Sequence, residues 1–192
     1  MSNASPARKM GLAVAQMGAV NLADSRQAVV KRLVEMLREA AGRKAEFVVF
    51  PELALTTFFP RYWMDDAEAV ERFFEKSMPN ADVQPLFDTA RELGVGFYLG
   101  YAELTPEGRQ FNSAILVDRN ARIIGKYRKI HLPGHSDHKP DAPSNIWRRS
   151  SSKSATWDSV SGKWTAPGSA CACATTAAGP KPTASCRCRA PS

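Results

Sequence analysis

The chain has 192 residues and a mass of 21.0 kDa; it is 44% hydrophobic and carries a formal charge of +7 at pH 7. No segment reaches the roughly 20 consecutive apolar residues that a membrane span requires, and the apolar run at residues 10–17 is broken by Gly11 and Gln16, too short for a secretory leader. Nearly all of the net positive charge falls after residue 143, so the basic pI of 9.4 belongs to the end of the chain, which sets aside nucleic acid as a partner and leaves a cytoplasmic protein without a membrane partner as the expectation.

Residues 12–16 (LAVAQ) read as a buried strand. Asp24 or Ser25 can cap a helix running to about residue 41, with Val29, Leu33, Met36, Leu37 and Ala40 at helical spacing and Gly42 closing it. Residues 47–50 (FVVF) have the β-branched and aromatic make-up of a strand covered on both faces. Helices are predicted over 67–76 and 83–93, the latter ended by Gly94. A further covered strand follows at 95–102, then turn chemistry at Pro106-Glu107-Gly108 and a hairpin of strands 111–117 and 122–127. Strands alternating with helices imply an α/β layer arrangement.

The composition then changes at a seam near Pro143/Ser144. Residues 1–143 hold 19 basic and 18 acidic side chains and no cysteine; residues 144–192 hold seven basic residues, one acid (Asp158) and all four cysteines. The latter stretch is crowded with Ser, Thr, Ala and Pro, buries too little apolar surface to offset chain entropy, and is expected to be disordered. Its cysteines, Cys171/Cys173 and Cys186/Cys188, have Cys-x-Cys spacing with no nearby histidine, a poor match to zinc sites, and read as unpaired thiols. The expected organisation is a partial domain over 1–143 and a non-native tail over 144–192.

Two residues stand where chemistry is done in α/β proteins. Glu52 directly follows the strand at 47–50, at the carboxyl end, where such sheets open their ligand crevice. Partial desolvation there suits a general base; the plainer alternative is a rim carboxylate paired with an arginine. Lys129, in KYRKIHLPGH, follows a strand and precedes a Pro-Gly turn. It could stabilise an oxyanion, or be one more basic residue at a strand end, beside Lys126 and Arg128. His131, His135 and His138 invite a metal reading, but Pro133-Gly134 breaks the helix that would align them, so they read as loop hydrogen-bonding groups. Arg109, Phe111 and Asn112 read as packing, as do Phe58, Phe59, Tyr62 and Trp63, which could also line a substrate or dimer surface.

VVFPELALTTFFP (48–60) and GKYRKIHLPGH (125–135) resemble the glutamate and lysine motifs of the nitrilase, or carbon–nitrogen hydrolase, superfamily. LAVAQMG, GYAEL and FNSAILVD are similar to that family in order and spacing, and PELALTTFFPR with RKIHLPGH most resembles the N-carbamoyl-D-amino-acid amidohydrolases. The resemblance implies an αββα sandwich of which residues 1–143 form the N-terminal half. It also implies homo-oligomers of the intact protein and a Glu-Lys-Cys triad with no metal or organic cofactor. It makes Glu52 the general base and Lys129 the lysine that stabilises the tetrahedral intermediate. Other nitrilase-family amidases and β-ureidopropionase-like enzymes are the nearest alternative readings; a non-catalytic fragment is another.

The family's nucleophilic cysteine is expected about 45 residues past Lys129, near position 174. Cys173 stands at nearly that distance as a positional stand-in, but SACACATTAAGPKP lacks the preceding apolar strand and the following arginines that the family motif carries. A thiolate needs an activating environment, which distance alone does not supply. Back-translating SACACATTAAGPKPTASCRC and reading from the third base of each codon can spell GMCLCNDRRWPETYRVMSL, which resembles the family's nucleophile motif. One base lost near the codon for Ser144 would account for the seam, and the chain as written is expected to be inactive.

Overall fold

The computed structural model describes residues 9–129, apart from 63 and 65. Among them, five strands form one mixed sheet: β1 (Leu12–Val14), β2 (Phe47–Val49), β3 (Gly96–Leu104), β4 (Gln110–Val117) and β5 (Ile123–Arg128), ordered β1-β2-β3-β4-β5. The first three run parallel and the last two pair antiparallel. Parallel neighbours need crossovers. Helix α1 (Arg26–Gly42) supplies the first; α2 (Ala67–Glu71) and α3 (Gln84–Leu93) lie in the second.

Of the two candidate caps for α1, Ser25 serves: its hydroxyl accepts from the Ala28 N–H at 3.1 Å, an interaction worth about 1 kcal/mol. The apolar stripe Val29, Val30, Leu33, Leu37 and Ala40 is buried, as its 3.6-residue spacing requires. Gly42 is the last helical residue, but the chain turns through a left-handed Lys44 (φ 65°). Gly94 does end α3, with φ 63°.

Leu33 and Leu37 of α1 and Leu86, Phe87 and Ala90 of α3 pack on Val48, Phe97, Leu99, Tyr101, Ile115 and Val117. Those sheet residues alternate along their strands and so share one face. Phe97 makes T-shaped contacts with Phe87 and Phe50, at ring-centroid distances of 5.2 and 6.2 Å. Each large apolar side chain buried here contributes about 2–3 kcal/mol. Helices α1 and α3 on one face of an α/β sheet form the half-sandwich that the resemblance implies. The opposite face carries Asn112, Ala114, Tyr98 and Gly100 in its centre, and Leu12 and Val14 at the β1 edge, where they are 59% and 77% exposed.

The helix expected over 67–76 stops at Glu71. Strand β2 pairs with only the first three residues of β3, and the backbone groups farther along that side of β3 need other partners. The Glu75 N–H donates to the Ala102 carbonyl (2.8 Å), and the Leu104 N–H donates to the Glu75 carbonyl (3.0 Å). Ladder bonds to a strand edge thus replace the last turns of the helix. Arg26, at the start of α1, ties this segment down: Nη1 donates to the Leu55 carbonyl and Nη2 lies 2.7 Å from Glu75 Oε1. Burial pushes the Glu75 carboxyl up, against the Arg26 charge and a hydrogen bond from Asn80.

Candidate active site

Glu52 owes its place to an arch between β2 and β3. The Phe50 N–H donates to the Tyr98 carbonyl (3.0 Å) and the Ala54 N–H to the Gly100 carbonyl (2.9 Å), so residues 51–53 must cross over β3 between those two anchors. A Cβ at Gly100 would come within 2.9 Å of Glu52 Cα and of the Pro51 carbonyl oxygen. Only a residue without a side chain lets the arch sit this low. Leu53 completes it with φ 51°, a conformation costly for a bulky residue. Its buried side chain, packed against Phe59, Val70, Phe73, Phe74 and Ala102, holds it there.

Lys129 arrives from the other end of the sheet. Its backbone N–H donates to the Asn112 carbonyl (2.8 Å), extending the β4–β5 ladder past Arg128. Its Nζ donates to Glu52 Oε1 at 2.6 Å; the two side chains are 19% and 32% exposed. Asn112 Nδ2 donates to the same oxygen at 2.5 Å, from a residue only 5% exposed. Among the described residues, both of these hydrogen bonds end on Oε1 and neither on Oε2. Tyr98 lies on this face of β3, and burial, with the negative charge of Glu52 adding to it, raises its pKa and keeps the hydroxyl protonated.

A carboxylate beside an ammonium on a partly desolvated rim lets one site both accept a proton, on the carboxylate, and stabilise a developing oxyanion, with the ammonium. The two residues singled out in the sequence, 77 positions apart, meet directly. Lys126 and Arg128 do not join them. Alternation along β5 sends both to the helix-covered face, where they bond Glu103 with Ser113. Burial alone would raise the Glu103 carboxyl, but the bonds from Arg128, Lys126 and Ser113 prevail and hold it at about 2.

The other singled-out residues divide between packing and positions beyond the described stretch. Phe59 stacks on Phe73 at 4.8 Å, and Phe111 is buried beneath the guanidinium groups of Arg128 and Arg109, 4.2 and 4.9 Å from its centroid; both are packing, as expected. Phe58 and Tyr62 are 38% and 40% exposed. Trp63, the three histidines and all four cysteines, Cys173 included, lie outside the described residues, as does the whole of 144–192. Asn112, read from sequence as packing, is the site residue that reasoning missed. Its signal was a lone amide in the apolar strand FNSAILV, at a position whose same-face neighbours are Ala114 and Leu116.

The fold defines the class. The structure superposes on Nit3 of Saccharomyces cerevisiae, a member of branch 10 of the nitrilase superfamily, with a TM-score of 0.53 and 19% identity over 66% of this chain and 49% of that one. It also matches an amidase from Nesterenkonia sp. with a TM-score of 0.50 and 23% identity over 70% of this chain and 48% of that one. At such identities these likenesses establish the nitrilase fold and nothing finer. The chain belongs to the carbon–nitrogen hydrolase family, whose model matches residues 11–171 and so runs past Pro143. A nitrilase of Pyrococcus abyssi is 36% identical over 98 residues, covering 51% of this chain and 35% of that protein. The human omega-amidase NIT2 is 27% identical over 103 residues, 54% of this chain and 34% of its own length. The chain thus spans about a third of the length of these curated relatives. Among the described residues, no helix is long and apolar enough to cross a membrane.

Proposed function

We propose that the lineage of this chain hydrolyses the carbamoyl C–N bond of N-carbamoyl-D-amino acids, giving the D-amino acid, carbon dioxide and ammonia. The observation that carries the chemistry is the 2.6 Å contact between Lys129 Nζ and Glu52 Oε1 on the sheet face away from the helices. In this reading Glu52 takes the proton of a cysteine thiol as its sulfur attacks the ureido carbonyl. Lys129 stabilises the oxyanion, ammonia leaves with a proton returned by Glu52, and water resolves the acyl-enzyme to a carbamic acid that loses carbon dioxide. The substrate choice rests on the wording PELALTTFFPR and RKIHLPGH. Activity toward simple amides or a β-ureido acid would place the chain with the family's other amidases.

The composition change at Pro143/Ser144 favours a second reading, of this particular polypeptide as a fragment separated from its nucleophile. In that reading the family domain runs over 1–143, the tail over 144–192 is out of frame, and Cys173 only marks the lost cysteine's distance. Purified chain assayed against an N-carbamoyl-D-amino acid is expected to release no ammonia. Turnover that disappears in Cys173→Ala would overturn this and restore the nucleophile to that position. The coding DNA across residues 143–144 settles the frame independently, since codons that cannot spell the shifted motif would remove the explanation.

A further inference from the structure

Glu52 is held by two donors that reach the same oxygen from different elements, and this makes its two oxygens inequivalent. Lys129 Nζ and Asn112 Nδ2 lie 2.6 and 2.5 Å from Oε1. Asn112 is 5% exposed, and its own carbonyl is taken by the Lys129 N–H at 2.8 Å. One residue therefore fixes both the backbone of the lysine and the carboxylate of the glutamate. A carboxylate oxygen that already accepts two hydrogen bonds has its lone pairs engaged, while its neighbour retains its own. We propose that Asn112 is a positioning residue that locks the Glu52 carboxylate through Oε1 and leaves Oε2 as the proton acceptor. Lysine alone would not achieve this. Its ammonium sits on a flexible four-carbon stem and acts as a point charge that either oxygen can approach, whereas the Asn112 amide is planar, short and anchored on a central strand.

This inference rests on the reading of Glu52 as the acceptor of the nucleophile's proton, but its test does not depend on turnover. The full chain, labelled with 15N and 13C, is studied by NMR. In the wild type, one proton of the Asn112 side-chain amide is expected downfield and slow to exchange, and the Glu52 side-chain couplings are expected to report a single rotamer. Acidification is expected to leave that amide proton downfield, because a proton taken up on Oε2 leaves Oε1 free to accept. Collapse of the signal on acidification would place the proton on Oε1 and overturn the assignment.

Asn112→Ala is expected to release Glu52 to rotamer averaging. Should that variant fail to fold, the isosteric Asn112→Asp decides. It sets an acceptor where the donor was, so two like charges repel and Glu52 averages at neutral pH. At acid pH a shared proton restores the bond and the single rotamer returns. A packing role for Asn112 gives no such reversal, and its absence would defeat the proposal. A chain that hydrolyses nothing yet shows an ordered Glu52 counts against the proposed reaction and leaves the positioning role standing. An averaged Glu52 in the wild type counts against the positioning role, whatever the activity.

Discussion

Neighbouring residues on β4 and β5 serve opposite faces of one sheet, and that division explains most of the polar chemistry here. Ser113 and Arg128 turn to the helix-covered side with Glu103, while Asn112 and Lys129 turn to the other with Glu52. The buried Glu103 cluster anchors the strand ends from which the site residues project. Its carboxyl is held at about 2, against 4.5 for the unperturbed group. The unfolded chain therefore takes up this proton more readily than the native one. Glu103 stabilises the fold fully above the ordinary carboxylate range, and that contribution is lost as pH falls from about 4.5 toward about 2. Glu75 acts with the opposite sign, because its raised pKa makes the native state the tighter proton binder. Glu103→Gln is expected to cost about 2 kcal/mol at neutral pH and to flatten the loss of stability on acidification, measured by urea unfolding at pH 6 and pH 3. An unchanged pH slope would show that the cluster is not the source. From the sequence, Lys129 was singled out while Lys126 and Arg128 stood beside it with no face assigned to them; the strand register places those two with Glu103 and Lys129 with Glu52.

At the scale of elements, the long and periodic pieces were legible. The α1 stripe and its cap, the Gly94 stop and the β4–β5 hairpin all follow from local spacing and local turn chemistry. The helix over 67–76 did not survive past Glu71, because β3 outruns β2 and recruits the backbone of Glu75 to its edge. Nothing local to 67–76 records how long β3 is. The arch that carries Glu52 has the same character, since its height is set by a glycine 48 positions away on another strand. Gly100→Ala is expected to destabilise the fold by about 1–3 kcal/mol, since the atoms its Cβ would meet are backbone atoms that yield poorly. It should also displace Glu52 from Lys129, seen as loss of the contact in a crystal structure of the variant. A variant as stable as wild type with the pair intact would show that the arch has room to rise.

At the largest scale, the decisive property among the described residues is a sheet with its two long helices, α1 and α3, on one face. Leu12 and Val14 face outward on edge strand β1, 59% and 77% exposed, beside half-buried Phe47 and Val49 of β2. Among the described residues β1 has no second neighbour, and an apolar surface next to such an edge favours aggregation. Val14→Lys is expected to lower static light scattering at a given protein concentration and to leave the unfolding temperature within about a degree, because an exposed side chain contributes little to stability. Equal scattering in both proteins would show that this face does not drive association. The sequence by itself determined the layer class, the helical stripes and the identity of Glu52 and Lys129 as candidates, because periodicity and strand-end position are properties of short stretches of chain. Only the tertiary structure decided that those two side chains touch, that Asn112 joins them and that Lys126 and Arg128 do not. Those contacts join residues up to 77 positions apart, and their geometry depends on strand register and on which face each residue takes, which no single segment encodes.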